Sequence, residues 1–150
     1  MSTAFGERIR QIVSSEGARL RLVPENEASR KPAAEKWCKK EVLGHLVDSA
    51  ANNHQRFVRA MLAEELVFPA YVQNDWVSAQ VYSAESWKNV LDLWSALNLH
   101  LAHIVDTIPS AKLSTQCRIG ANPPMTLEAL VADYIRHLVH HLAQIEAGGG

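Results

Sequence analysis

The sequence predicts an all-α protein, a four-helix bundle with long crossover loops, on three observations. Four segments, at about 3–22, 38–66, 84–107 and 126–146, repeat apolar residues at three- and four-residue steps, the period of a half-buried helix. The stretches between them hold the Pro, Asn, Gly and Ser that interrupt helices. At 150 residues the chain has the size of one domain that buries its own core, so residues 1–150 are assigned to a single unit.

In the first helix Phe5, Ile9, Ile12, Val13, Leu20 and Val23 form the stripe, and Pro24 ends it because proline cannot continue the hydrogen-bond ladder. The second centres its apolar face on Leu43, Leu46, Val47, Ala50, Phe57 and Met61. Trp87, Val90, Leu91, Trp94, Leu97, Leu101, Ile104 and Val105 line the third, a core helix ending before Pro109. The fourth opens after Pro123-Pro124 with Thr126 as N-cap and Glu128 in its first turn, where a carboxylate meets the positive end of the dipole. Its capping box is incomplete, since Ala129 stands three residues after Thr126. Gly148-Gly149-Gly150 extends a helix poorly and is expected to fray.

About 17 residues separate the second and third helices, and about 18 the third and fourth. Connections of that length suit crossovers instead of tight hairpins, and they often serve as lids. Pro69, Tyr71, Asn74, Trp76 and Gln80 supply the first of them with groups that can cover a pocket, or Trp76 simply plugs the end of the bundle.

A net charge of −1, with lysines and arginines scattered apart from the local group Lys36, Lys39 and Lys40, offers no attraction to a phosphate backbone, so no nucleic-acid partner is expected. No stretch approaches the roughly 20 apolar residues that cross a bilayer, and residues 1–17 lack the apolar run of a signal peptide. No membrane partner and a cytoplasmic location are the expectation. Cys38 and Cys117 form no C-x-x-C unit and are expected to be free thiols. No nucleophile triad, phosphate loop or dinucleotide fingerprint is present.

The chemistry concentrates in the fourth helix. His137 and His141 are four residues apart, so both imidazoles share a helix face and can converge on one metal ion. They lie within or beside the stripe Leu127, Leu130, Val131, Tyr134, Leu138 and Ile145, which points them inward. An open metal site normally takes three protein ligands, so a third must come from elsewhere. On the second helix the periodicity, at about 100° per residue, favours His54, which lies nearer the apolar centre than His45. His100 and His103 stand i,i+3 on the third helix with only Asp106 beside them, and His140 points away from its neighbour; none is assigned to the site.

Trp37, Glu41 and His45-Leu46, paired with His137, His140-His141 and Gln144, resemble the DinB/YfiT-like family of small metalloenzymes. The resemblance runs from about Trp37 through Gln144 and includes the region of Trp76 and Gln80. It implies a four-helix bundle, often dimeric, with His45, His137 and His141 holding a divalent ion such as zinc or nickel. It also implies a thiol-dependent transferase or a hydrolase acting on a small molecule, with a low-molecular-weight thiol as cosubstrate. Glu41 and Gln144 are candidates to position a ligand's second nitrogen, or to cap and pair structurally.

The same helical wheel groups His45 with Ser49, Asn52 and Arg56, and Asp48 beside them, in one polar stripe. Either this is a hydrated face, or it lines the metal cleft, where Arg56 can hold a carboxylate and Asn52 can orient substrate, with Trp76 covering them. A homodimer is expected, because the Trp87 and Trp94 stripe is more apolar surface than one small bundle covers. The alternative function is a non-catalytic metal-binding helical dimer module, which would close the ion's fourth position with a protein side chain.

Overall fold

The computed structural model describes residues 3–148, so Gly149 and Gly150 of the expected fraying tail lie outside the described residues. Its frame is the four predicted helices: α1 (Ala4–Arg21), α3 (Lys39–Leu62), α5 (Trp87–Thr107) and α6 (Leu127–Glu146). Each begins where local chemistry satisfies its free N–H groups. Thr3 accepts from the Gly6 N–H, Ser86 from Asn89 and Thr126 from Ala129. At α3 the Glu41 carboxylate reaches back to the Cys38 N–H at 3.0 Å.

Packing runs α1 on α5, α5 on α3, α3 on α6, and α6 back on α1. Consecutive pairs α1 and α3, and α5 and α6, therefore face each other across the bundle, which is why long connections join them. The first carries α2 (Glu25–Ser29), a short helix opening at Pro24. Glu25 staples it in place by pairing with Lys40 at 2.7 Å and accepting from the Trp87 N–H at 2.9 Å.

The other two connections are not the plain loops the periodicity suggested. One contains β1 (Glu65–Phe68) and α4 (Gln73–Gln80); the other contains β2 (Gln116–Ile119) and β3 (Met125–Thr126). β1 pairs parallel to β2, with Leu66 opposite Cys117, and β2 pairs antiparallel to β3. This three-stranded sheet ties the two connections together. It also takes Leu66 out of the helix predicted to reach it, because pairing with a strand some 50 residues away replaces the helical bonds.

One core runs through the bundle, with Trp94, Phe57, Leu43, Leu46, Leu91, Leu101 and Leu138 among its fully enclosed members. Trp87 donates its indole N–H to the Leu20 carbonyl, and Lys39 donates to the Ile145 carbonyl, so helix ends are pinned by buried polar bonds. Lys39 and Lys40, grouped in the sequence with Lys36 as a local basic patch, are both buried.

Gly44 marks the tightest approach on α3: a Cβ there would stand 2.3 Å from the Tyr82 ring. Val81, in the left-handed region at φ 51°, turns the chain out of α4 and into that ring's position. Gly44→Ala is therefore expected to lower stability by about 1–3 kcal/mol, the usual cost of overpacking. Urea unfolding tests it, and an unchanged midpoint would show that the ring moves aside freely.

Candidate metal centre

α3 and α6 pack side by side, and the helical period of α6 places His137 and His141 one turn apart towards α3. Opposite them His45 projects from the second turn of α3 and is 1% exposed. One ring nitrogen from each of the three lies within 4.8 Å of the others, and His45 Nε2 is 3.2 Å from His137 Nε2. Two nitrogens bound to one tetrahedral zinc at about 2.0–2.1 Å sit roughly 3.3–3.4 Å apart, close to the spacing of the His45 and His137 pair, with a His141 nitrogen within 4.8 Å of both.

The protonation states fit too. Burial, reinforced by the neighbouring His137 and His141, holds His45 down to about 3. Burial and then His141 hold His137 down to about 4, and burial lowers His141 while its bond to Gln144 pulls the other way. All three are neutral near pH 7, the form that ligates metal. His45 Nε2 and His137 Nε2 face each other at 3.2 Å, while His45 Nδ1, on the far side of the ring, is buried without a partner.

Gln144 stands where a supporting residue is useful. Its Oε1 is 2.6 Å from His141 Nδ1, so that nitrogen donates and Nε2 keeps its lone pair for the centre. Glu41 lines the same cleft as His141 and Gln144, while its carboxylate caps α3 and pairs with Lys31 at 2.9 Å. Trp37 packs its ring 5.4 Å from that of His45.

The polar stripe on α3 is not a hydrated face. Asp48 is 2% exposed, Ser49 4%, Asn52 8% and Arg56 9%. The connection carrying β1 and α4 folds over this side of α3, and α6 closes it beyond Ser49 and Arg56. Asp48 Oδ1 accepts from the Tyr82 hydroxyl at 2.7 Å and from the Gln80 amide at 2.8 Å, and burial pushes its carboxyl up. Asn52 donates to the Asp48 carbonyl and lines a cleft of about 610 Å³ together with Phe68, Tyr71 and Trp76. Trp76, 40% exposed and beside the Tyr71 ring, lines that cleft and is not a buried plug.

Arg56 opens instead on a smaller cavity of about 120 Å³, which it shares with Ser49, Tyr71, Asp133 and His137. On the other side of the triad, His141 and Gln144 border a polar cleft of about 470 Å³ with Lys31, Trp37 and Asn74. The centre thus lies between two spaces. Tyr71, which walls both the Asn52 and the Arg56 cavities, and Tyr82, which orients Asp48, have no helical period to reveal them.

The remaining histidines lie apart. His54 stacks edge-on against His100 at 5.3 Å between ring centres, with His103 beyond at 6.2 Å. Among the described residues only His45, His137 and His141 bring three such donors within 4.8 Å. Asp106 does not serve His100 or His103; it binds Thr3 and Arg10. His140 is exposed. Cys38 and Cys117 are free but buried, and burial pushes both thiols up, which removes them as nucleophiles.

A four-helix bundle with crossovers, in which three histidines from two helices converge, defines a class of small helical protein with donors that could hold one ion. The DinB superfamily profile matches residues 17–145, and the chain belongs to that superfamily. Among solved structures it is similar to YfiT from Bacillus subtilis, described as a probable metal-dependent hydrolase with an unusual four-helix bundle topology. That likeness has a TM-score of 0.79 at 20% identity and covers 98% of this chain and 87% of that one. The chain is also similar to the mycothiol-dependent maleylpyruvate isomerase, with a TM-score of 0.76, 17% identity, and coverage of 95% of this chain and 61% of that one. A variant of that isomerase matches at 0.77 with 16% identity, covering 99% and 62%. At these identities the likeness is one of fold. Among curated proteins no sequence match is found.

Proposed function

We propose that this protein is a divalent-metal-dependent enzyme, a thiol-dependent transferase or a hydrolase acting on a small molecule, with zinc or nickel held by His45, His137 and His141. The observation that carries this is the convergence of three neutral imidazoles between two cavities, with no fourth His, Cys, Asp or Glu joining them among the described residues. An open donor set is the pattern of catalytic ions, whereas structural ions are closed by a fourth side chain.

A divalent ion bound there supplies Lewis acidity, lowering the pKa of a coordinated water or thiol so that a nucleophile exists at neutral pH. Gln144 holds the His141 tautomer, and Trp37 packs against His45, which is 1% exposed. The cleft beside His141, with Lys31, Asn74 and Gln144 on its walls, suits a polar thiol cosubstrate. Asn52, Arg56 and Trp76 face the spaces left for the second substrate. The neighbours offer precedents for both chemistries, a probable hydrolase and a mycothiol-dependent isomerase, and thiol transfer is the preferred reading on the motif resemblance. Metal-loaded protein screened with a panel of thiols and electrophiles tests the assignment; no turnover that depends on both metal and thiol would remove the transferase.

The protein is further proposed to act in the cytoplasm as a homodimer without affinity for DNA. Trp87 and Trp94 do not supply the dimer face, since both are buried within the chain. Leu93 and Leu99 of α5 and Val139 of α6 remain exposed and are available to it. No helix among the described residues is long and apolar enough to cross a membrane. Light scattering is expected to give twice the chain mass, and duplex DNA is expected not to bind at physiological salt. A monomer, or salt-sensitive duplex binding, would contradict one half each.

A further inference from the structure

Arg56 carries a buried charge to which the fold offers two aromatic ring faces and the through-space field of Asp133, but no direct counter-ion among the described residues. It is 9% exposed, its Nε is fully enclosed without a partner, and it makes no hydrogen bond or ion pair to any described residue. The guanidinium carbon lies 5.6 Å from the centre of the Phe68 ring and 5.9 Å from that of Tyr71. Such contacts engage ring faces and leave the N–H donors unused. Enclosing an unpaired cation is costly, and a fold that does so without an internal counter-ion is suited to receive one from outside. Asp133, on the wall of the same cavity, does not fill that role: it lies beyond ion-pair distance of Arg56 and is paired with Arg136 on its own helix.

We propose that the cavity shared by Arg56, Ser49, Asn53, Tyr71 and His137 is an anion subsite, in which Arg56 anchors a carboxylate of the small molecule handled at the three-histidine centre. The placement of the rest of that molecule rests on the proposed metal centre, because His137 forms one wall of this cavity. A carboxylate is favoured over a phosphate on charge and size. One guanidinium faces the space, Asp133 adds a negative charge to its wall, and a dianion would be left half-compensated. About 120 Å³ holds a carboxylate with a short carbon stem but not a ligand of the usual 300–1,000 Å³ class. The flat guanidinium matches the flat carboxylate in a two-pronged bond.

The test uses zinc-loaded protein, with butyrate and inorganic phosphate as probes and the NMR signal of the Arg56 Nε–H as readout. Butyrate is expected to move that signal saturably, phosphate to bind at least tenfold more weakly, and Arg56→Gln to weaken butyrate binding at least tenfold. Arg56→Lys is expected to keep part of the affinity, having charge without the fork. Arg56→Gln without ligand should unfold at the same temperature or higher, since an unpaired buried charge is removed; a lower midpoint with butyrate binding intact would assign Arg56 a packing role and overturn the subsite. His141→Ala separates the two proposals. Butyrate binding retained in a metal-free His141→Ala protein supports the subsite, whereas binding lost there but kept in Arg56→Gln would put the carboxylate on the metal and overturn it. A His141→Ala protein with full metal content would count against the metal centre alone.

Discussion

His141→Ala is expected to empty the metal centre while leaving the bundle folded. Among the described residues the three imidazoles are the donor set that converges there, so removal of one leaves two ligands, too few to hold an open divalent site. Gln144→Ala provides the scale. It removes only the acceptor at 2.6 Å that orients the His141 ring, and such changes cost about 10–100-fold in metal affinity. The ligand variant should lose clearly more than that, enough that elemental analysis of protein purified without a nickel column finds no bound ion. His137→Ala should behave alike, since its Nε2 stands 3.2 Å from that of His45. Stoichiometric metal in His141→Ala would end the case for this site.

His45→Ala is expected to abolish metal binding, and His54→Ala to leave it untouched. The two residues lie on one helix and differ in surroundings. His45 is enclosed against α6, with His137 and His141 at 5.0 and 4.7 Å between ring centres. His54 faces α5 and His100 instead. Competition against a chromophoric chelator gives both affinities. An emptied His54→Ala protein beside a full His45→Ala protein would reverse the assignment.

That contrast shows where periodicity misleads. A helical wheel finds the face that packs on one neighbour, and for α3 it found the face of Leu43, Leu46 and Phe57 turned into the core. α3, however, is packed on several sides, by α5, α6, α4 and β1, so its polar stripe is enclosed as well. The motif resemblance pointed to His45 against the wheel, and His45 is the α3 histidine that lies beside His137 and His141. Glu41 belonged to the same motif; it caps α3 at Cys38, one of the two roles open to it, and also lines the cleft of His141.

The sequence alone determined what depends on near neighbours along the chain. Apolar spacing specified four helices to within a few residues, Thr126 announced the start of α6, and the four-residue step of His137 and His141 required a shared face. These are properties of a 3.6-residue turn and need no partner. Only the tertiary structure decided what depends on distant segments: the β1–β2 pairing, the burial of Arg56 without a counter-ion, the split of the polar stripe between two cavities by Tyr71, and the use of Tyr82 to hold Asp48. Each depends on segments far apart in the chain meeting: the connection of β1 and α4 on α3, β1 on β2, and α6 beside α3. Such contacts carry no local period, because their free energy comes from surfaces that meet only once the bundle has formed.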